Sequence, residues 1–108
     1  MVSEELKSKL QQITQQEVYK MIVSKPSDKA AKYRKIEIEK KSSGYQAAAY
    51  TQKQVFHEKI EPDRLLSYLS ERVGSEFSQL NAWDGTSEYM LLISKKGKVT
   101  YRCKKQAE

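Results

Sequence analysis

The chain has 108 residues, 38% of them hydrophobic and 31% charged, with a formal net charge of +6. That length suits one domain with one modest core, and no stretch approaches the roughly 18 to 20 apolar residues of a membrane span. The lone Cys103 excludes a disulfide within the chain, and the polar, acidic start MVSEELKSKLQQ lacks the apolar stretch of a secretory signal, so a cytoplasmic location is expected.

In chain order, Ser3 to about Gln15 reads as a helix. Ser3 caps it, Glu4 and Glu5 suit the positive end of its dipole, and Leu6, Leu10 and Ile13 form an i, i+4, i+7 stripe. Val18 to Ser24 alternates as a strand that is partly apolar on both faces, with Tyr19, Met21 and Val23 on one side and Val18, Lys20 and Ile22 on the other. Pro26 ends it, and Ser27 to Lys32 is a basic loop or a helical turn. Tyr33 to Lys41 is a second strand, in which Ile36 and Ile38 share a face with Arg34 and Lys40.

Ser42-Ser43-Gly44 turns into a third strand, Tyr45 to Thr51. Its consecutive alanines suit a helix as well, but Tyr45, Tyr50 and Thr51 beside a glycine turn favour strand. Lys53 to Ile60 is the fourth, with Val55, His57 and Lys59 on one face and Phe56, Glu58 and Ile60 on the other. Pro62 opens a second helix, whose buried face is Leu65, Leu66, Leu69 and Val73 and which Gly74 ends. Glu76 to Trp83, Ser87 to Lys95 and Val99 to Lys104 then form a meander, turning at Asp84-Gly85 and at Lys96-Gly97. This order predicts a single α+β domain over residues 1–108, an antiparallel sheet of six to seven strands with two helices packed on it.

The charge is unevenly placed. Lys20, Lys25, Lys29, Lys32, Arg34, Lys35, Lys40 and Lys41 face only Asp28, Glu37 and Glu39 within their stretch, and Ile93 to Lys105 contains no acid at all. Glu58 to Glu88 is net acidic. An electropositive side suits an anionic partner such as RNA, although lysines also simply keep small domains dissolved.

Catalytic constellations are missing from the inventory. Gly44, Gly74, Gly85 and Gly97 are too far apart for a phosphate-cradling Gly-x-Gly pattern. One histidine and one cysteine do not make a zinc site of the usual ligand set. Cys103 and His57 are the single conceivable nucleophile–base pair, but Cys103 lies in a lysine-rich strand without a glycine-flanked elbow. No catalytic residue, metal site or cofactor is expected in this chain, and a binding role follows.

Three segments carry a resemblance. Lys53-Gln54-Val55-Phe56-His57-Glu58-Lys59-Ile60, Phe77-Ser78-Gln79-Leu80-Asn81-Ala82 and Leu92-Ile93-Ser94-Lys95-Lys96-Gly97-Lys98-Val99, in this order and separation, resemble the N-terminal region of bacterial S-adenosylmethionine-dependent methyltransferase-like proteins. The similarity runs from about Tyr19 to Lys104. In that family a small domain precedes a Rossmann-like domain that holds the methyl donor in a Gly-rich loop. This chain has no such loop, so the resemblance implies an accessory module and carries over no cofactor-binding residue.

The candidate nucleic-acid contacts are Lys95, Lys96 and Lys98 around Gly97, then Arg102, Lys104 and Lys105 for phosphates with Tyr101 or Trp83 for stacking, and Arg34, Lys40 and Lys41 on the second strand. The competing reading is that these lysines blunt an exposed edge strand. Phe56, His57 and Trp83 are candidate partner contacts; a structural place in the core rim is the alternative for His57 and Trp83. Two functions are therefore expected to compete: an RNA-binding accessory domain, and a protein-docking module that packs on a downstream methyltransferase domain or self-associates. The two-sided apolar patterns of Val18–Ser24 and Met90–Ile93 are the hint for docking.

Overall fold

A computed structural model describes residues 4–25, 35–51, 53–74 and 77–105. Helix α1 (Glu4–Thr14) precedes strands β1 (Lys20–Ser24), β2 (Lys35–Lys41), β3 (Gly44–Tyr50) and β4 (Val55–Ile60). A 3-10 turn (Pro62–Arg64) leads into α2 (Leu65–Arg72), and β5 (Gln79–Trp83), β6 (Ser87–Ile93) and β7 (Val99–Lys105) follow. This is the α+β order expected from the sequence. The strands form one antiparallel seven-stranded sheet in the order β4-β3-β2-β1-β5-β6-β7. Ser3, Glu76 and residues 26–34, Arg34 among them, lie outside the described residues, and so do the expectations attached to them. No described helix is long and apolar enough to cross a membrane.

Burial follows the two periodicities of the sequence. Leu6, Leu10 and Ile13 of α1 are buried, as are Leu65, Tyr68 and Leu69 of α2. They cover the sheet face that carries Met21 and Val23, Ile36 and Ile38, Leu80 and Ala82, and Tyr89 and Leu91. Ala47 is also fully covered on this face. The helices touch each other, and α1 also reaches β7.

Four local expectations change. In α2, Tyr68 takes the buried place assigned to Leu66, which stays at the rim of the core. The chain spends its first turn after Pro62 in 3-10 geometry, with the Arg64 N–H bonded to the Glu61 carbonyl, and the α-helical stripe starts only at Leu65. Before β1, Val18 is buried and Tyr19 is 49% exposed, the reverse of the expected alternation. The Tyr19 N–H nevertheless bonds to the Trp83 carbonyl, and its own carbonyl accepts from the Lys40 N–H, so the backbone already belongs to the ladder. The strand expected from Glu76 begins at Gln79, because Phe77 closes the end of α2 instead: its N–H bonds to the Arg72 carbonyl and its carbonyl accepts from the Gly74 N–H.

Two devices lock this arrangement. Gly74 has φ +94°, and a Cβ there would stand 2.7 Å from Leu6 Cδ2. The backbone conformation therefore demands glycine, and any larger residue would also displace the Leu6 side chain. Asp84 organises the β5–β6 hairpin. Its Oδ1 accepts the N–H groups of Thr86 (2.9 Å) and Ser87 (2.7 Å), and its Oδ2 accepts the Tyr89 hydroxyl at 2.7 Å. The Tyr89 bond foremost, with the backbone donors behind it, holds the Asp84 carboxyl at about 2, below its ordinary 3.8, and the same pairing pushes Tyr89 up to about 12.

Gly74→Ala is expected to lower stability by about 2 kcal/mol, read as an earlier urea midpoint at unchanged slope. Because the folded-state pKa of Asp84 is depressed, its contribution is complete above pH 3.8 and disappears as the pH falls through about 2. Urea titrations over that interval should therefore show a loss of stability in the wild type that Asp84→Asn lacks. At neutral pH the variant should be less stable by about 2 kcal/mol, the worth of hydrogen bonds to a charged acceptor.

Candidate nucleic-acid interface

Strand alternation sends every second side chain to the face that α1 and α2 do not cover, and the register of the sheet aligns these side chains across it. One line runs from His57 through Ala48, Glu37, Ile22, Asn81 and Met90 to Arg102. The next runs from Lys59 through Gln46, Glu39, Lys20, Trp83 and Glu88 to Lys104. On the other side of the first lie Val55, Tyr50, Lys35, Ser24, Gln79, Leu92 and Thr100. Ile22, Trp83, Met90 and Leu92 on this face are half-buried.

The charges of this face divide into spent and available ones. Lys35 Nζ lies 3.0 Å from Glu37 and 5.3 Å from the centre of the Tyr50 ring, whose hydroxyl donates to Glu37 at 3.3 Å. The Lys35 hydrogen bond foremost lowers the Glu37 pKa against the opposing effect of partial burial; the Lys35 charge, the Tyr50 hydroxyl and Lys20 add to the lowering. Lys41 is bound to Glu39 at 3.4 Å. Lys20, Lys59, Arg102 and Lys104 make no ion pair with a described residue. The available cations therefore frame Trp83, with Lys20 as its cross-strand neighbour and Lys104 one strand beyond Glu88.

The residues singled out in the sequence separate between the two faces. Arg102 and Lys104 point to the open face, whereas Tyr101 and Lys105 share the helix side with Leu91 and Ser87. Tyr101 packs against the core with Lys9 Nζ 5.0 Å above its ring, and burial, with a smaller push from Cys103, raises its hydroxyl pKa. The expected grouping of Tyr101 with Arg102 and Lys104 is thus not formed, because adjacent strand residues face opposite ways. Lys40 aligns with Tyr45 and Ile60 on the helix side, and Lys41 is on the open side.

Lys95, Lys96 and Lys98 are exposed at the β6–β7 turn. There the Ser94 N–H bonds to the Lys98 carbonyl and Gly97 takes φ +88°, giving a three-residue loop with glycine in the left-handed region. Along β7, the open-side positions Thr100, Arg102 and Lys104 continue from this turn at a spacing of roughly 7 Å. Trp83 is half-buried on the open face, His57 is exposed there, and Phe56 is exposed on the helix side.

His57 and Cys103 stand on β4 and β7, the two borders of the sheet and roughly 29 Å apart at about 4.8 Å per strand, and on opposite faces. They cannot act as a nucleophile–base pair. Among the described residues no group of His, Cys, Asp or Glu side chains is placed to hold a metal ion.

Lys20, Lys59 and Asn81 were not among the candidate contacts read from the sequence, although they share the face with Trp83 and Arg102. Ile22, Met90 and Leu92 lie on the same face, within the Val18–Ser24 and Met90–Ile93 segments whose two-sided apolar pattern was the hint for docking. Compared with protein-family models, curated proteins and solved structures, the chain gives no match.

Proposed function

We propose that this domain is a non-catalytic accessory module that binds RNA on its uncovered sheet face, in a cytoplasmic setting. The observation that carries the reading is the placement of half-buried Trp83 between Lys20 and the β7 border bearing Arg102 and Lys104. An aromatic ring on an open sheet offers a stacking platform for an unpaired base, and cations around it take up phosphates. The lysine-rich β6–β7 turn extends the cationic path along β7, and Gln79 and Asn81, joined at 2.7 Å, add amide groups for base edges. In keeping with the resemblance to methyltransferase-like proteins, the chemistry would belong to a separate catalytic domain, which this module supplies with substrate contact.

A second reading is favoured by Ile22, Met90 and Leu92, half-buried aliphatic side chains on the same face, Met90 and Leu92 as neighbours on β6 and Ile22 across Asn81 from Met90. Such side chains suit docking onto a protein domain, here a methyltransferase domain.

Titration of a labelled structured RNA containing a single-stranded loop separates the two. Binding is expected at low salt, weakening steeply as salt rises; its absence at low salt would refute the RNA reading. The double variant Arg102→Glu/Lys104→Glu should weaken binding at least about tenfold and flatten the dependence of log K on log salt by about 1.4, two single-strand phosphate contacts. Trp83→Ala should cost about 1–3 kcal/mol with the salt slope unchanged, since stacking releases no counterions. Under the docking reading, Met90→Lys abolishes capture of the methyltransferase domain and the charge variant does not.

A further inference from the structure

The two borders of the sheet are built differently. On β7, Arg102, Cys103, Lys104 and Lys105 are exposed in succession, and such a charged border discourages the addition of another strand. On β4, by contrast, Val55 is 41% exposed on the open face and Phe56 is 53% exposed on the helix side. Apart from Tyr19, these are the large hydrophobic side chains most exposed among the described residues, and they are neighbours on one border strand.

The ladder shows which backbone groups of β4 remain unused. The Thr51 N–H donates to the Gln54 carbonyl at 2.9 Å and closes the β3–β4 hairpin. Bonded pairs recur every second residue in an antiparallel ladder, so the bonded pairs that follow are Ala49–Phe56, Ala47–Glu58 and Tyr45–Ile60. The N–H and C=O groups of Val55, His57 and Lys59 consequently point away from the sheet, where no described strand receives them.

We propose that two copies of this chain join through antiparallel pairing of their β4 strands about a twofold axis at His57, forming one continuous sheet. Charge selects this register. Centred on Phe56, the pairing would set Lys53 against Lys59 of the second copy; centred on Glu58, it would set the two Glu58 carboxylates against each other. Like charges in directly opposed positions are destabilising. Centred on His57, Val55 lies against the aliphatic stem of Lys59 and Phe56 against Glu58. Lys53 and Glu61, just beyond the strand ends, then meet with opposite charge.

The same register brings Phe56 to the mouth of the groove between β4 and α2 of the second copy. That groove is lined by Glu58, Ile60, Tyr68 and Arg72, with the Arg72 guanidinium 3.6 Å from the centre of the Tyr68 ring. A stacked arginine and tyrosine offer an exposed phenylalanine an apolar and cationic wall. The twofold axis is normal to the sheet, so the uncovered faces of both copies lie on one side. The pairing itself does not rest on RNA binding.

Sedimentation equilibrium of the full chain without nucleic acid, in a series reaching about 100 μM, reads the association directly. A reversible dimer is expected. His57→Pro removes an outward N–H while sparing the bonds to β3, and proline is tolerated on a border strand at such a position. It should raise the dimer dissociation constant at least about tenfold with an unchanged far-ultraviolet circular dichroism spectrum. Phe56→Lys, which leaves all backbone bonds in place, should do the same and covers the case in which the proline variant does not fold. A monomer throughout the series, or a dimer that survives Phe56→Lys, overturns the proposal. The double variant Arg102→Glu/Lys104→Glu should leave dimerisation unchanged, so that failure here is separable from failure to bind RNA.

Discussion

β1 is five residues long, yet the sheet depends on it, because it is bonded on both sides: to β2 along one border and to β5 along the other. Without it, β2–β4 and β5–β7 would be separate three-stranded meanders, each with an additional open border and half of the present core. Met21 and Val23 anchor the strand from below, at 1% and 0% exposure. Burial of these two residues fixes which face receives the helices. Because strand alternation is strict, it also fixes that Lys20, Ile22 and Ser24 face away from them. A slip of one residue in β1 would put Lys20 into the core and Met21 into solvent, and so the register is strongly specified.

The uncovered face inherits its layout from that constraint. Trp83 is beside Lys20 because β5 pairs with β1 in this register, and it is within reach of the β7 border because Asp84 holds the β5–β6 hairpin closed next to it. On β7 the same alternation separates chemistry that is adjacent in sequence. Arg102 and Lys104 go to the face of Trp83, while Tyr101 becomes part of the covered side under Lys9. Lys35 is removed from the cationic inventory by Glu37 and Tyr50, which leaves the positive potential concentrated toward Lys20 and β7.

The element order was legible because each segment shows a clear period: 3.6 at Leu6, Leu10 and Ile13, and 2 at Ile36 and Ile38. Turns were marked by residues with few alternatives, such as Asp84-Gly85 and Gly97. Element ends were less legible. Phe77 looks like a strand residue but caps α2, and Val18 and Tyr19 exchange burial where the chain enters the sheet, since both outcomes depend on contacts with distant segments. In the candidate site, the cations of the β7 segment and Trp83 could be named from local sequence. Lys20, Lys59 and Asn81 could not, because nothing local to β1, β4 or β5 tells which strands become neighbours.

Sequence alone determined the secondary-structure order, the α+β class and the excess of positive charge near the C-terminal end, since these follow from composition and short-range periodicity. It also determined that the four glycines are too dispersed for a phosphate-cradling loop. Only the tertiary structure decided that β1 joins β5, that α1 and α2 cover the same face of the sheet, and that β4 and β7 form its two borders. Those outcomes rest on pairings between residues far apart in the chain, where burial of one shared face by α1 and α2 selects among registers that local sequence leaves equivalent.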